Sequence, residues 1–191
     1  MEETKNGLPI RLFTTAKEWR QWLAAHHDTN GLWLRFYKKG RGESINHDIA
    51  LDEALCYGWI DSQVATYDDD SFLQKFTPRR KKSIWSKRNI EHVERLIKED
   101  RMTPLGLAEI EVAKADGRWQ QAYDSPSNMQ IPLDFLEQLT KYPEAQVFFS
   151  TLNKTNLYSI AWRLQTAKTD TTRQRRIQVI IAMLNNHEKF H

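Results

Sequence analysis

Residues able to do chemistry gather between Ala54 and Asn89. Cys56-Tyr57-Gly58-Trp59-Ile60-Asp61-Ser62 is followed by Phe76-Thr77-Pro78-Arg79-Arg80, then by Ser83-Ile84-Trp85-Ser86-Lys87-Arg88-Asn89. Trp59 and Asp61 stand two apart on an expected strand, so both side chains share one face. An indole beside a carboxylate can grip a planar cationic or polar ligand. Ser83, Trp85 and Asn89 lead into a helix whose first N–H groups are free, and Arg79, Arg80, Lys87 and Arg88 lie close by in sequence. A helix N-terminus with arginines suits a phosphate or a carboxylate. Plainer roles stand beside these: Trp59 filling core, Ser86 capping the helix over Trp85, and Asp61 paired with Arg79 or Arg80 across a hairpin. Either way Asp61 is expected near the arginines. The ligand-binding candidates are Trp59, Asp61, Arg79, Arg80, Ser83, Trp85 and Asn89. No stretch matches a nucleophile, phosphate or metal motif with a settled mechanism, so no catalytic residue is assigned.

Cys56 would be a nucleophile only beside a basic group that lowers its pKa. It falls on an apolar helical face and reads as a buried structural thiol. Among the histidines (His26, His27, His47, His92, His187 and His191) only His187 and His191 stand four apart, beyond the last expected helix, and none has a ligand spacing with the lone cysteine, so neither a metal nor a cofactor is expected. From Ser71 to Ile90 the chain carries Lys75, Arg79, Arg80, Lys81, Lys82, Lys87 and Arg88 and no carboxylate. A second basic set, Arg163, Lys168, Arg173, Arg175 and Arg176, follows later. Phe72, Phe76 and Trp85 interleave with the first set, and aromatics that stack on bases beside arginines that hold phosphates would bind nucleic acid. That alternative uses Lys75, Arg79, Arg80, Lys87, Arg88, Arg173, Arg175 and Arg176. The net charge of +3 is small for it, and no nucleic-acid module accompanies the clusters. A further alternative is an enzyme with Asp61 as general base.

The elements that must position these residues can be read from period and punctuation. Thr15-x-x-Glu18 has the form of a capping box, opening an amphipathic helix to about His26. Leu32 to Tyr37 reads as a strand and Lys38 to Glu43 as a loop. Asp48 to Tyr57 reads as a helix with Leu51, Ala54 and Leu55 inward, ended by Gly58 in the left-handed conformation. Trp59 to Tyr67 and Ser71 to Thr77 form a hairpin about Asp68-Asp69-Asp70, closed by Pro78. Centring that turn on Asp69 sets Asp61 opposite Thr77, with Arg79 one diagonal step away. Helices follow from Ser86 and from Thr103-Pro104, the second ended by Gly117. Residues 1–117 thus form an α+β domain with a small antiparallel sheet, 118–128 a linker, and 129–191 an all-helical bundle. Its four expected helices run over about 132–139, 144–152, 155–167 and 171–184. All strands are expected before about residue 80.

Length and composition agree with a folded chain: 191 residues, 40% hydrophobic, with seven tryptophans. The longest strongly apolar run, Val179 to Leu184, is far short of the ~18 residues that span a bilayer. Met1 to Asn6 is polar with no apolar core, so no export signal is expected. With one cysteine no intrachain disulfide can form, and a cytoplasmic location is expected.

With these residues in hand, the chain resembles the YdeI/OmpD-associated family, whose label is bacteriocin protection or antimicrobial resistance. The likeness rests on Gly58-Trp59-Ile60-Asp61, Pro78-Arg79 and Ser83-x-Trp85-Ser86-x-x-Asn89, then Met102, Gly106 and Gly117-Arg118-Trp119. Thr172-Arg173-x-Arg175-Arg176-Ile177 lies in what looks like the helical domain that names the family. The resemblance implies no agreed activity, cofactor or catalytic residue. The family's porin-linked description is periplasmic, and because no export signal is expected here, that association is not expected for this chain. The expectation is therefore a cytoplasmic, non-enzymatic protein that binds a small ligand, an anion among the candidates, or a partner between its two parts, linked by family label to stress or antimicrobial resistance.

Overall fold

The computed structural model describes residues 3–191. Met1 and Glu2, part of the polar start read above, lie outside them. The chain is α+β and divides into two compact units. One comprises the chain to Ile84 and again Asn89–Gln120; the other comprises Trp85–Arg88 and Gln121–His191.

The first unit holds every named strand: β1 (Thr4–Lys5), β2 (Leu8–Arg11), β3 (Leu32–Tyr37), β4 (Trp59–Thr66) and β5 (Ser71–Pro78). They form one sheet in the order β1-β2-β3-β5-β4. All pairs are antiparallel except β2 with β3, which run parallel. The β1–β2 hairpin, absent from the sequence reading, turns on Asn6 and Gly7, both at positive φ (52° and 74°). Asn-Gly is the sequence that such a turn favours. Between β2 and β3 the chain crosses over through α1 (Ala16–His26), whose capping box is complete: Thr15 accepts from the Glu18 N–H, and the Glu18 carboxylate accepts from Thr15. Helix α2 (His47–Cys56) is capped by Asn46 and gives way to Gly58 at φ 74°. Trp19 and Leu23 of α1 and Ala50 and Ala54 of α2 pack with Leu32, Leu34, Phe36, Trp59 and Phe76 of the sheet. The strand positions are those of the core face, alternate along β3 and registered across β5 and β4.

Helices α3 (Lys87–Lys98) and α4 (Pro104–Ala115) follow. Helix α4 opens on Thr103, whose hydroxyl accepts from Gly106 N–H while donating to the Cys56 carbonyl at 2.6 Å. One threonine thus caps the start of α4 and satisfies a carbonyl left open at the end of α2.

The second unit contains α5 (Leu133–Leu139), α6 (Pro143–Ser150), α7 (Lys154–Gln165) and α8 (Asp170–Asn185), and no named strand lies after Pro78. The helices enclose Phe135, Leu139, Ala145, Ile160, Leu164, Ile177, Ile180 and Leu184, with Phe148, Phe149 and Leu152 half-buried against them. Within this unit Ser86 also forms a single parallel bridge with Tyr123. Among the described residues no helix is long and apolar enough to cross a membrane.

Candidate functional site

The hairpin β4–β5 carries the residues that the sequence marks out, and its register decides what each can reach. Near the turn, Val64 faces Gln74 and Thr66 faces Phe72, as a turn centred on Asp69 requires. Between Asp61 and Val64 the register shifts, with Ser62 and Gln63 opposite Lys75 alone. This bulge sets Asp61 opposite Phe76 in place of Thr77, and a slip of one residue exchanges the faces that side chains share. The diagonal neighbours of Asp61 become Gln74 and Pro78, so the expected approach to Arg79 is lost. The carboxylate instead accepts from His47 Nε2 at 2.9 Å and from Gln74 Nε2 at 3.3 Å, both at Oδ2. Gln74 also donates to the Ser62 carbonyl freed by the bulge, at 3.1 Å. Neither Arg79 nor Arg80 is a partner of Asp61 among the described residues.

Trp59 shares that face, as expected, but is 0% exposed. Its ring meets Trp19 and Trp22 edge-on, and its Nε1 donates to the His27 carbonyl at 3.3 Å. The indole is core and offers no open surface for stacking.

Arg79, Arg80 and Ser83 come together in the turn after β5. Ser83 N–H donates to the Arg80 carbonyl at 2.8 Å, and Arg80 N–H to the Ser83 hydroxyl at 3.3 Å. Two buried arginines hold the same turn. Arg79 donates to the Ile84 carbonyl at 3.4 Å and Arg118 to the Ser83 carbonyl at 2.8 Å, and Asp116 takes Nε of Arg118 at 2.7 Å. Arg80, Lys81 and Lys82 remain exposed on this pinned turn. Asn89 lies half-buried in the first turn of α3.

Trp85, Lys87 and Arg88 belong to the second unit. Trp85 is buried, its carbonyl accepting from Tyr123 N–H at 3.0 Å. Lys87 pairs with Asp124 at 2.7 Å, and this pairing holds the Asp124 carboxyl below its ordinary pKa. In the later basic set, Arg173 makes a two-pronged pair with Asp134, both bonds 2.7 Å, and caps the Leu164 carbonyl. Arg175 is exposed and Arg176 half-buried. Lys75 is half-buried on β5. Residues read as linker contribute structure here: Pro126 and Ser127, with Met129, Leu157 and Tyr158 of the helical part, line a groove of about 670 Å³.

Cys56 is buried as expected, and burial, reinforced by the Glu53 charge, pushes its thiol up to about 12. A thiol so placed stays protonated at neutral pH and is no nucleophile.

The first unit also holds a charge network that the helical pattern does not predict. Asp52 and Glu53 of α2 are both buried, although that pattern predicts only Leu51, Ala54 and Leu55 inward. Glu53 takes Arg20 through two bonds of 2.7 Å and Arg101 through one of 2.9 Å. Asp52 takes Arg95 at 2.6 Å and His92 Nδ1 at 2.7 Å. Burial opposes the charge on Asp52, but the bonds from Arg95 and His92 prevail and lower its pKa. The signal was present: two adjacent carboxylates inside the run Leu51-Asp-Glu-Ala-Leu-Cys56, with arginines and a histidine on later helices.

Among the described residues no group of three or more His, Cys, Asp or Glu is placed to hold a metal ion. Residues 128–187 match the family described as bacteriocin-protection, YdeI or OmpD-associated, which locates the named family in the helical part alone. Residues 11–109 match a domain of unknown function, DUF8412. No curated protein and no solved structure matches the chain. The chain belongs, through the larger of these matches, to the DUF8412 family, and its C-terminal helices carry the YdeI/OmpD-associated domain.

Proposed function

We propose that this protein acts by binding, without covalent chemistry, and that its ligand is a small anion or an acidic partner taken up at the turn Arg79–Ser83. The observation that carries this reading is the state of Arg80, Lys81 and Lys82. All three are exposed, and among the described residues none has an ion-pair partner, whereas Arg20, Arg35, Arg95, Arg101, Lys87 and Arg173 all do. Three adjacent cations without neutralisation make a local positive field that draws anions. Their backbone is already held by Arg79, Arg118 and Ser83, so little ordering accompanies binding. Trp59 and Asp61 support the reading indirectly, fixing the strand that delivers the turn. A cytoplasmic setting and a part in bacteriocin or antimicrobial-peptide protection are the biological context proposed for such binding.

The test is calorimetric titration of the whole chain with inorganic phosphate and with pyrophosphate, repeated on the Arg80→Glu, Lys81→Glu, Lys82→Glu triple variant. Binding that weakens by about tenfold or more (~1.4 kcal/mol), with an unchanged melting temperature, is expected. Equal binding by both proteins would sink the reading.

A further inference from the structure

The second unit contains a groove of about 490 Å³ that the reading above leaves unused. Its walls are Trp162 and Arg163 of α7, Arg175, Arg176 and Val179 of α8, and Phe190. Arg175 and Val179 are four apart and Arg176 and Val179 three apart, so the helix sets charge and apolar surface side by side. The Arg163 guanidinium lies over the Phe190 ring, 3.7 Å from its centre, and donates to the Ser159 carbonyl at 3.0 Å. Arg176 donates to the Arg163 carbonyl and to the Thr166 hydroxyl. Every one of these partners is neutral. Among the described residues no carboxylate pairs with Arg163, Arg175 or Arg176, while their neighbour Arg173 is neutralised by Asp134. Burial, the larger cause, and after it the like charge of Arg176 close by lower the pKa of Arg163.

The apolar wall is fixed in place. His191 N–H donates to Asn156 Oδ1 at 3.1 Å, Asn156 Nδ2 returns a bond to the His191 main-chain oxygen at 3.2 Å, and His191 Nε2 meets the Ser159 hydroxyl at 3.0 Å. Phe190 is thereby anchored beside Arg163 by its neighbour. A groove within the volume range of small-molecule sites, mostly apolar, with a few convergent charges, has the make-up of a ligand site.

We propose that this groove binds a small organic anion with an aromatic or aliphatic body, such as an aryl or alkyl phosphate, carboxylate or sulfonate. Arg175 and Arg176 take the anionic head, and Trp162, Phe190 and Val179 take the body. The charge asks for an anion and the apolar walls ask for more than a bare inorganic one. The site is independent of the turn Arg79–Ser83, so either proposal can fail alone.

The probe is 1-naphthyl phosphate, titrated calorimetrically into the whole chain beside inorganic phosphate and neutral 1-naphthol. Naphthyl phosphate is expected to bind this groove at least about tenfold more tightly than either fragment. Arg175→Gln changes an exposed side chain and leaves the fold intact, and Phe190→Ala removes the apolar wall. Measured in the Arg80→Glu, Lys81→Glu, Lys82→Glu background, which removes the turn as a competing phosphate site, each is expected to weaken naphthyl phosphate by about tenfold. Equal binding of naphthol and naphthyl phosphate, or undiminished binding by a folded Arg175→Gln protein, would overturn the proposal. So would a loss caused only by the reversal at residues 80–82.

Discussion

Tryptophan 59 shows how a residue that reads as a ligand contact can be structural. Its ring is closed in by Trp19 and Trp22, and it sits where α1, α2 and the sheet converge. Trp59→Ala is therefore expected to cost about 3–5 kcal/mol of stability, measured as a fall in the urea midpoint. Arg80→Ala, on the exposed turn, should stay within about 0.5 kcal/mol of wild type. Glu53 makes the converse case, a charge that reads as surface and is buried. Its carboxylate is 2% exposed and rests on Arg20 and Arg101. Losing either arginine leaves the other in place; losing both strands a buried charge. Arg20→Ala and Arg101→Ala together are expected to cost about 3–5 kcal/mol, more than the sum of the single changes. A double-mutant cycle by chemical denaturation checks this, and simple additivity would count against the network.

At the scale of elements, close approach and paired charge fix how helices dock. Gly106 at the start of α4 has no room for a side chain. A Cβ there would lie 2.4 Å from the Cys56 carbonyl oxygen and 2.8 Å from that of Leu55. Gly106→Ala must push α4 away from the end of α2 and is expected to lower stability by about 1–3 kcal/mol, although alanine is the better helix former. In the second unit, Arg173 ties α8 to α5 through Asp134 and lowers the pKa of that carboxyl. A carboxyl with a depressed folded pKa stabilises above its unfolded value, near 3.8, and loses that contribution as the pH falls through the folded value. Asp134→Asn should therefore melt earlier at pH 7 than wild type, with the gap closing below about pH 4. The side chain is 41% exposed, so the effect at pH 7 is expected to be about 1 kcal/mol or less. Most elements were legible because caps, periodicity and glycine punctuation agree, as at Thr15, Gly58 and Thr103-Pro104. The register of β4 was not. Alternation locates a strand, but nothing in Ser62 and Gln63 marks where an extra residue will bulge, and that bulge turns Asp61 toward His47 and Gln74. The buried pair Asp52-Glu53 was hidden because its partners come from α1, α3 and the residues after it, which only the fold brings together. The Asn6-Gly7 turn, by contrast, is legible in its two residues alone.

For the whole molecule, the question is how many of its cations are free to meet a polyanion. The net charge is only +3, and of the residues named for nucleic-acid binding several are engaged. Arg173 is held by Asp134 and Lys87 by Asp124. Arg79 is buried, and Arg176 is bonded to the end of α7. Binding to a single-stranded phosphate backbone releases about 0.7 counterion for each phosphate neutralised. If Arg80, Lys81 and Lys82 do most of the work, the logarithm of affinity should fall against log salt with a slope no steeper than about −2. Arg80→Ala should flatten that slope by roughly 0.7, one phosphate contact, and Arg175→Ala should leave it unchanged. Fluorescence anisotropy with a labelled oligothymidine over a salt series measures both. A slope of about −5 or steeper, reduced by Arg80→Ala and by Arg175→Ala alike, would mean that the two basic clusters act together on one strand. Nucleic acid would then replace the small anion as the ligand of this protein.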